Sequence, residues 1–112
     1  MADFQVTTTV ASVLGEFLED VDQPQYGFDL MRRCGLASGS LYPILARLER
    51  AGWIVGKVEE VDPAHKARPP RKYYLLTGHG VVEATRELAV LSAKLRLPST
   101  LLPQPTGEGG FA

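Results

Sequence analysis

The fold is decided by the stretch Ser38-Gly39-Ser40-Leu41-Tyr42-Pro43 and, further along the chain, by Arg68-Pro69-Pro70-Arg71-Lys72-Tyr73-Tyr74. The first stretch is a short polar turn that leads into an amphipathic helix, and the second is a basic loop that leads into an aromatic strand. A helix followed by a hairpin with a cationic tip is typical of a winged helix-turn-helix. The two stretches therefore predict this fold and make DNA the first partner to consider.

The rest of the chain extends this layout into a mainly α-helical fold with one small β-hairpin. Apolar residues recur at helical spacing on both sides of the hairpin, and Trp53, Val55 and Val58 alternate with other residues as in a half-buried strand. Of Tyr73 and Tyr74, one should lie in the core and the other should be partly exposed, because neighbouring side chains of a strand point to opposite faces. We predict helices at 6–18, 25–33 and 38–51, strands at 53–60 and 71–76, and a last helix at about 78–97.

Residues that begin and end helices stand at these boundaries. Asp3 can cap the first helix, either Ser38 or Ser40 can cap the third, and Thr77 can cap the last, since their side-chain oxygens accept hydrogen bonds from first-turn amides. Gly35 stands where a left-handed C-terminal cap of the second helix belongs. The boundaries are thus predicted from capping chemistry as well as from periodicity.

The last helix carries an apolar seam of the kind that pairs with another helix. Its apolar residues are three and four positions apart over two heptads. An isolated seam of this length would expose apolar surface to water, so we predict that a second copy of the chain covers it. The predicted dimerisation residues are Val81, Ala84, Leu88, Leu91 and Leu95.

The size and composition are those of one globular domain. The chain has 112 residues, enough for one core, and 45% of them are hydrophobic and 22% charged. We assign 1–97 to a winged-helix domain and 98–112, with three prolines and three glycines, to a disordered tail. No apolar run is long enough to cross a bilayer, no signal peptide is visible, and Cys34 is the only cysteine. We therefore expect a cytoplasmic, nucleoid-associated protein.

The net charge of −1 conceals a strong asymmetry. Residues 32–72 contain nine Lys and Arg against four acids, whereas the remainder contains three Lys and Arg against nine acids. DNA senses the local field over about 10 Å rather than the total charge. The charge distribution therefore favours DNA as a partner of the middle of the chain.

Three groups of residues form a recognisable pattern when they are taken together. They are Tyr26-Gly27-Phe28-Asp29-Leu30, then Gly39-Ser40-Leu41-Tyr42-Pro43-Ile44-Leu45-Ala46-Arg47-Leu48-Glu49 with Gly52, and then Pro70-Arg71-Lys72-Tyr73-Tyr74-Leu75-Leu76-Thr77 with Gly80. In this order and at this spacing, over about 6–97, they resemble the PadR family of bacterial transcriptional regulators.

The resemblance carries its own expectations. It implies that the third helix is a recognition helix, that the hairpin is a wing, and that the first and last helices form a homodimer interface. It also implies a repressor, often released by a small molecule such as a phenolic acid or a drug-like cation. The last helix is short for the family, so the chain resembles a shorter subgroup. The base of the wing carries the acids Glu59, Glu60 and Asp62, which restrict the choice of DNA phosphates that the wing can approach.

The third helix offers groups that can read DNA. Its first-turn amides, the hydroxyls of Ser38 and Ser40 and the phenol of Tyr42 could reach phosphates and base edges, and Arg47 could reach a guanine edge. Pro43, which favours a late helix start, lies on the same polar side. The structural alternative is a core helix whose serines serve only as caps.

The predicted wing supplies cations without intervening acids. Lys66, Arg68, Arg71 and Lys72 could each neutralise a phosphate and release a counterion, so that binding weakens with salt. The alternative is an ordinary solvated basic loop. The predicted DNA-binding residues are Ser38, Ser40, Tyr42, Pro43, Arg47, Lys66, Arg68, Arg71 and Lys72.

An effector site is a further hypothesis. In a dimer, a small aromatic effector could be enclosed by aromatic and apolar side chains. These side chains come from the first helix, the second half of the domain and the last helix. The candidate walls are Val10, Leu14, Phe17, Trp53 and Leu88. Packing in the core is the alternative function for Trp53.

No pattern indicates catalysis, a metal or a cofactor. His65 and His79 lack companions at metal-ligand spacing, and no nucleophile, base and orienting acid form a set. We therefore predict a sequence-specific DNA-binding regulator, most simply a homodimeric repressor of a pseudo-palindromic operator. The alternative is a winged helix that binds proteins and no DNA.

Overall fold

The computed structural model describes residues 5–60, 64 and 69–95. Four helices and three strands follow one another as α1 (Thr8–Glu19), β1 (Gln25–Tyr26), α2 (Gly27–Cys34), α3 (Ser38–Arg50), β2 (Ile54–Val58), β3 (Lys72–Leu76) and α4 (Gly78–Leu95). This is the predicted mainly α-helical winged-helix arrangement. The boundary proposed at residue 97 and the tail at 98–112 lie outside the described residues.

The strands form one antiparallel sheet in the order β1-β3-β2. In the hairpin, Ile54 is opposite Leu76, and on the other side of β3 Gln25 is opposite Tyr74. The prediction of a bare hairpin and of a helix from residue 25 was wrong here. A two-residue strand shows no alternation along the chain, and β1 exists because β3 supplies its hydrogen-bonding edge.

The hairpin buries a different set of side chains from the one that alternation suggested. Trp53 and Ile54 are buried, whereas Val55 and Val58 are exposed. The strand is half-buried as expected, but its inward side chains are fixed by pairing with β3 and not by hydrophobicity alone. Tyr74 lies in the core beside them.

One core joins the four helices and the sheet. It is built from side chains at helical spacing in α1 and α3 together with residues from α2, the hairpin and α4. Its buried members are Val10, Val13, Leu14, Phe17, Leu30, Leu41, Ile44, Leu45, Leu48, Trp53, Ile54, Tyr74, Leu76 and Ala84. The core thus holds α3 against the domain along a single stripe.

Two of the predicted caps are confirmed. Gly35 adopts the left-handed conformation at φ 66° after α2. The amide of Gly80 donates to Thr77 Oγ1 over 2.9 Å at the start of α4. At α1 the cap is Thr7, whose Oγ1 accepts from the amide of Val10 over 3.3 Å, while Asp3 lies outside the described residues.

The capping residue of α3 differs from the prediction, although the helix begins at Ser38 as predicted. The N-cap is Ala37, so neither Ser38 nor Ser40 caps the helix, and Pro43 lies inside it. Proline removes the hydrogen bond to the carbonyl four residues earlier, which here belongs to Gly39. Because both residues are on the exposed side of the helix, water can solvate that carbonyl and the helix begins early.

Hydrogen bonds connect the residue before α4 to the turn between α3 and β2. Thr77 Oγ1 donates to the carbonyl of Gly52 over 2.7 Å, and the Thr77 amide donates to the carbonyl of Trp53 over 2.9 Å. A Cβ at Gly80 would collide with that same Trp53 carbonyl. The recognition helix predicted from the sequence and α4 therefore share a rigid junction.

Among the helices in the described part of the chain, none combines the length and the apolar character that crossing a membrane requires.

Candidate nucleic-acid interface

The side of α3 opposite the core presents the residues that the sequence assigned to DNA. A buried stripe fixes the helix, and the remaining circumference is exposed over three turns. We call this surface the α3 surface, and its exposed residues are Ser38, Ser40, Tyr42, Pro43, Arg47 and Arg50. The predicted helix residues are thus brought together on one face. Arg50 is exposed at the same face, although it is not among the predicted DNA-binding residues.

The serines are available for a ligand because they have no capping role. Ala37 occupies the N-cap and makes no side-chain cap, while Ser38 and Ser40 are exposed in the first turn. The Ser40 amide donates to the carbonyl of Ala37 over 3.0 Å, whereas the amides of Ser38 and Gly39 precede the first helical hydrogen bonds and have no intrahelical acceptor. Such an end suits an anionic group.

Tyr42 is positioned by close contact with α2. Its ring lies over Gly27, where an added Cβ would collide with the phenol oxygen. The side chain is nevertheless 43% exposed. The glycine therefore lets α2 and α3 approach while the Tyr42 side chain stays partly exposed.

The hairpin base is the second part of the candidate interface. We use this name for Tyr26, Glu49, Glu59, Arg71 and Lys72, which meet where β3 begins. Of the predicted wing cations, Lys66 and Arg68 lie outside the described residues, whereas Arg71 and Lys72 are exposed. The structure therefore describes half of the predicted wing set.

Arg71 is held by a carboxylate and an aromatic ring. Its guanidinium lies 3.5 Å from Glu59 Oε2, and its backbone amide donates to Glu59 Oε1 over 3.2 Å. The guanidinium carbon is also 4.2 Å from the centre of the Tyr26 ring, a cation–π distance. Tyr26 in turn donates its hydroxyl to Glu59 Oε2 over 3.2 Å.

Lys72 is held in a similar way on the other side of the hairpin. Its Nζ is 3.7 Å from Glu49 Oε1 and 5.3 Å from the centre of the Tyr74 ring. A Cβ at Gly56 would crowd both the lysine and the carboxylate, so the glycine leaves the room in which they meet. Burial raises the pKa of Tyr74, which keeps its ring neutral beneath the lysine.

The α3 surface and the hairpin base thus differ electrostatically. Among the residues that the structure describes, neither Arg47 nor Arg50 has an ion-pair partner, while Arg71 and Lys72 each have one. The sequence indicated an acidic base of the wing but did not predict these pairings. Contacts between α3, β1 and the hairpin depend on tertiary distances that spacing along the chain does not encode.

The family follows from a comparison with family models. The model described as "Transcriptional regulator PadR-like family" matches residues 16–86, which is more than half of the chain. The chain belongs to the PadR-like family. Membership confirms the resemblance seen in the motifs and the prediction of a transcriptional regulator rather than an enzyme.

Several solved structures share the fold of this PadR-like chain. A PadR-like transcription factor from Bacteroides fragilis is 24% identical, with a TM-score of 0.60 over 84% of this chain and 90% of that one. The protein smu.1704 from Streptococcus mutans UA159 is 28% identical, with a TM-score of 0.56 over 88% and 92%. MepR from Staphylococcus aureus, solved as a complex with DNA, is 17% identical, with a TM-score of 0.59 over 85% and 71%. No protein of curated function matched the chain.

The predicted effector-site residues of the PadR-like chain lie in its core. The side chains of Val10, Leu14, Phe17, Trp53 and Leu88 are all buried. An open polar cavity of about 460 Å³ lies elsewhere, between α1, β1 and α2, and is lined by charged residues such as Glu16 and Arg33. The five predicted walls are therefore packing surfaces in a single chain.

The predicted dimerisation residues divide into two groups along α4. Ala84 is fully buried and Leu88 nearly so, because α1 packs against this part of α4. Val81 and Leu91 are half-buried, and Leu95 is 47% exposed. Part of the heptad seam is thus covered within the chain, which corrects the expectation that a second copy covers all of it. Val82 and Val90, outside the predicted seam, are exposed instead.

Cys34 has the surroundings of a packing residue. Its Sγ lies 3.8 Å from the carbonyl of Ser12, and burial, followed by the charge of Glu16, raises the pKa of the thiol. A thiol that stays protonated at neutral pH is a poor nucleophile. Among the described residues, no group of His, Cys, Asp and Glu could hold a metal ion.

Proposed function

We propose that this PadR-like chain is a sequence-specific DNA-binding regulator that acts as a homodimeric repressor. The observation that carries the proposal is the α3 surface. On this face opposite the core lie two serines that do not cap the helix, a tyrosine packed against Gly27, and two arginines without ion pairs among the described residues. In helix-turn-helix proteins such a face enters the major groove. Arg47 would read a base edge, and the serines and amides would contact phosphates.

The wing cations have a different task in this proposal. Lys66, Arg68, Arg71 and Lys72 would follow the backbone beside the groove entered by α3. Phosphate contacts position a protein on DNA without reading its sequence. The basic segment at 32–72, set within an otherwise acidic chain, supports this orientation by keeping DNA away from the other faces.

The two tasks predict two different defects. In fluorescence anisotropy with DNA from upstream of the encoding gene, Arg47→Ala should lose about 1–3 kcal/mol of binding to that DNA and little to a random duplex. Replacing Arg68, Arg71 and Lys72 together by alanine should weaken binding to both duplexes and reduce the salt slope by about 1 for each lost phosphate contact.

Arg86→Ala is the matched control for Arg47→Ala, because it removes the same single charge from an exposed position on α4. It should leave both affinities unchanged. Unchanged binding by the triple variant would rule out the wing role, and equal losses of Arg47→Ala on both duplexes would rule out base reading.

A second candidate is a protein-interaction module without DNA binding. It is favoured by one observation, the pairing of the two described wing cations with Glu59 and Glu49. Protein interfaces are poor in free lysine, whereas DNA-binding faces are rich in it. Absence of binding to any duplex at low salt would favour this candidate.

We further propose that a small aromatic effector releases the repressor. The predicted walls are closed in the single chain, so the effector would bind where a second copy adds surface or would separate packed side chains. Trp53 is the only tryptophan and is buried at this place, so its fluorescence reports on either event. A tryptophan spectrum that no DNA-releasing aromatic compound alters would remove the effector site from this position.

A further inference from the structure

We propose that Glu49 and Glu59 are positioning residues that hold Lys72 and Arg71 back from DNA, and thereby limit nonspecific binding. The inference rests on the proposed function, since it concerns how tightly the same DNA-binding face grips phosphates. It assigns a role to two acids that no DNA-contact argument would select, because carboxylates repel DNA.

The first holding contact is centred on Glu59. Its carboxylate accepts from the Tyr26 hydroxyl and from the Arg71 amide, both over 3.2 Å, and it pairs with the Arg71 guanidinium. The side chain is only 18% exposed, so its charge is screened less than that of a surface acid. The tyrosine ring covers another face of the guanidinium. Arg71 is therefore oriented by these contacts, and its charge is partly compensated before any DNA arrives.

The second holding contact is centred on Glu49. This acid is at the end of α3, and its carboxylate reaches across Gly56 to Lys72 on β3. The lysine is about half exposed, so a phosphate could approach it from the solvent side. To bind that phosphate, Lys72 must break its ion pair with Glu49 or bind both anions at once. Glu49 thus competes directly with the DNA backbone.

The holding contacts involve the cations expected to bind phosphates and not the arginines expected to read bases. The two held cations are on the hairpin, where contacts would be to phosphates and would not depend on sequence. The arginines of the α3 surface, Arg47 and Arg50, have no ion pair among the described residues. A protein built in this way loses part of its sequence-independent affinity and keeps its base-reading groups free. The ratio of specific to nonspecific binding rises as a result.

The test uses Glu49→Gln, Glu59→Gln and the double variant in the full chain. Each substitution keeps the side-chain size and removes one negative charge. Each single variant should bind a random duplex about two- to fivefold more tightly, in line with the strength of exposed ion pairs. The plot of log affinity against log salt should become steeper by up to about 1 for each released cation. Binding to the upstream DNA should gain less, so the specificity ratio should fall.

Glu19→Gln is the matched control, because it changes the net charge equally at an exposed position in the last turn of α1. It should change neither the affinity nor the salt slope beyond a small general effect. Glu49 is the more exposed of the two acids, so Glu49→Gln tests the proposal even if Glu59→Gln loosens the hairpin. Thermal melting of each variant identifies such loosening.

The outcomes separate the inference from the function on which it rests. Tighter random-duplex binding with a steeper salt slope supports the inference. Wild-type binding to DNA with unchanged or weaker binding by folded Glu49→Gln overturns the inference and leaves the proposed function standing. Failure of the wild type to bind any duplex at low salt overturns both.

Discussion

The position of the Tyr42 ring depends on Gly27, because the ring occupies the space that a side chain at residue 27 would fill. Gly27 is the first residue of α2, and Tyr42 is in the second turn of α3. The phenol lies so close to the glycine that an added methyl group would overlap it. The helix-turn-helix angle and the direction of a candidate DNA-contacting hydroxyl are therefore set by a single small residue.

This contact predicts that Gly27→Ala destabilises the domain although alanine is the better helix former. Overpacking of this kind costs about 1–3 kcal/mol of unfolding free energy, which should appear in urea denaturation. DNA affinity should fall as well, because Tyr42 must turn away. Gly39→Ala is the control: it is also a helical glycine, but an added Cβ meets nothing within 4 Å. It should be neutral or slightly stabilising.

A double-mutant cycle isolates the cause. In a Tyr42→Ala background the methyl group of Gly27→Ala would have free space, so most of its cost should vanish. An equal cost with and without the tyrosine ring would show that the overlap is not the reason.

At the scale of elements, the sequence predicted those helix ends that depend on the capping residue itself. Gly35 and Thr77 end and begin helices as their conformational and hydrogen-bonding preferences require. The range predicted for α3 began at Ser38, as observed, but the cap was assigned to Ser38 or Ser40 because proline was expected to favour a later start. Pro43 and the carbonyl it leaves unpaired are both on the solvent side, so the helix tolerates it.

Elements that depend on distant partners could not be found in this way. β1 has only two residues and is defined by Tyr73 and Tyr74 of β3. The same non-local geometry explains the candidate interface. The α3 residues were predictable because one helix places them, whereas the pairing of Arg71 with Glu59 requires the hairpin and β1 to be in place. Periodicity predicts faces of helices, and tertiary structure decides which charges are free.

The whole molecule combines a basic middle with an acidic remainder, and this asymmetry suits one DNA-binding side on each chain. A single copy would offer one α3 to one groove. Two copies related by a two-fold axis would offer two, about one helical turn of DNA apart, which matches a pseudo-palindromic site. The distance between the two recognition helices would then depend on the dimer interface.

The exposed apolar end of α4 predicts where that interface is. Ala84 and Leu88 are used by the core, so the surface left for a second copy includes Leu95 and the exposed Val90. Light scattering after size exclusion should give a mass near twice the 12.2 kDa of one chain. Leu95→Glu should weaken the dimer by at least about tenfold, because two buried leucines would be replaced by two facing charges.

Val58→Glu is the matched control for this substitution. Val58 is an exposed apolar residue on β2, and the same change there should leave the dimer intact. Because Val58 lies opposite Lys72, it is the control for the mass and not for DNA affinity. In the proposed dimer two copies would bind one operator together, so loss of the dimer should also reduce affinity for a full site more than for a half-site. A Leu95→Glu protein that keeps both its mass and its full-site affinity would move the interface away from the end of α4. The two α3 helices would then need a different spacing on DNA.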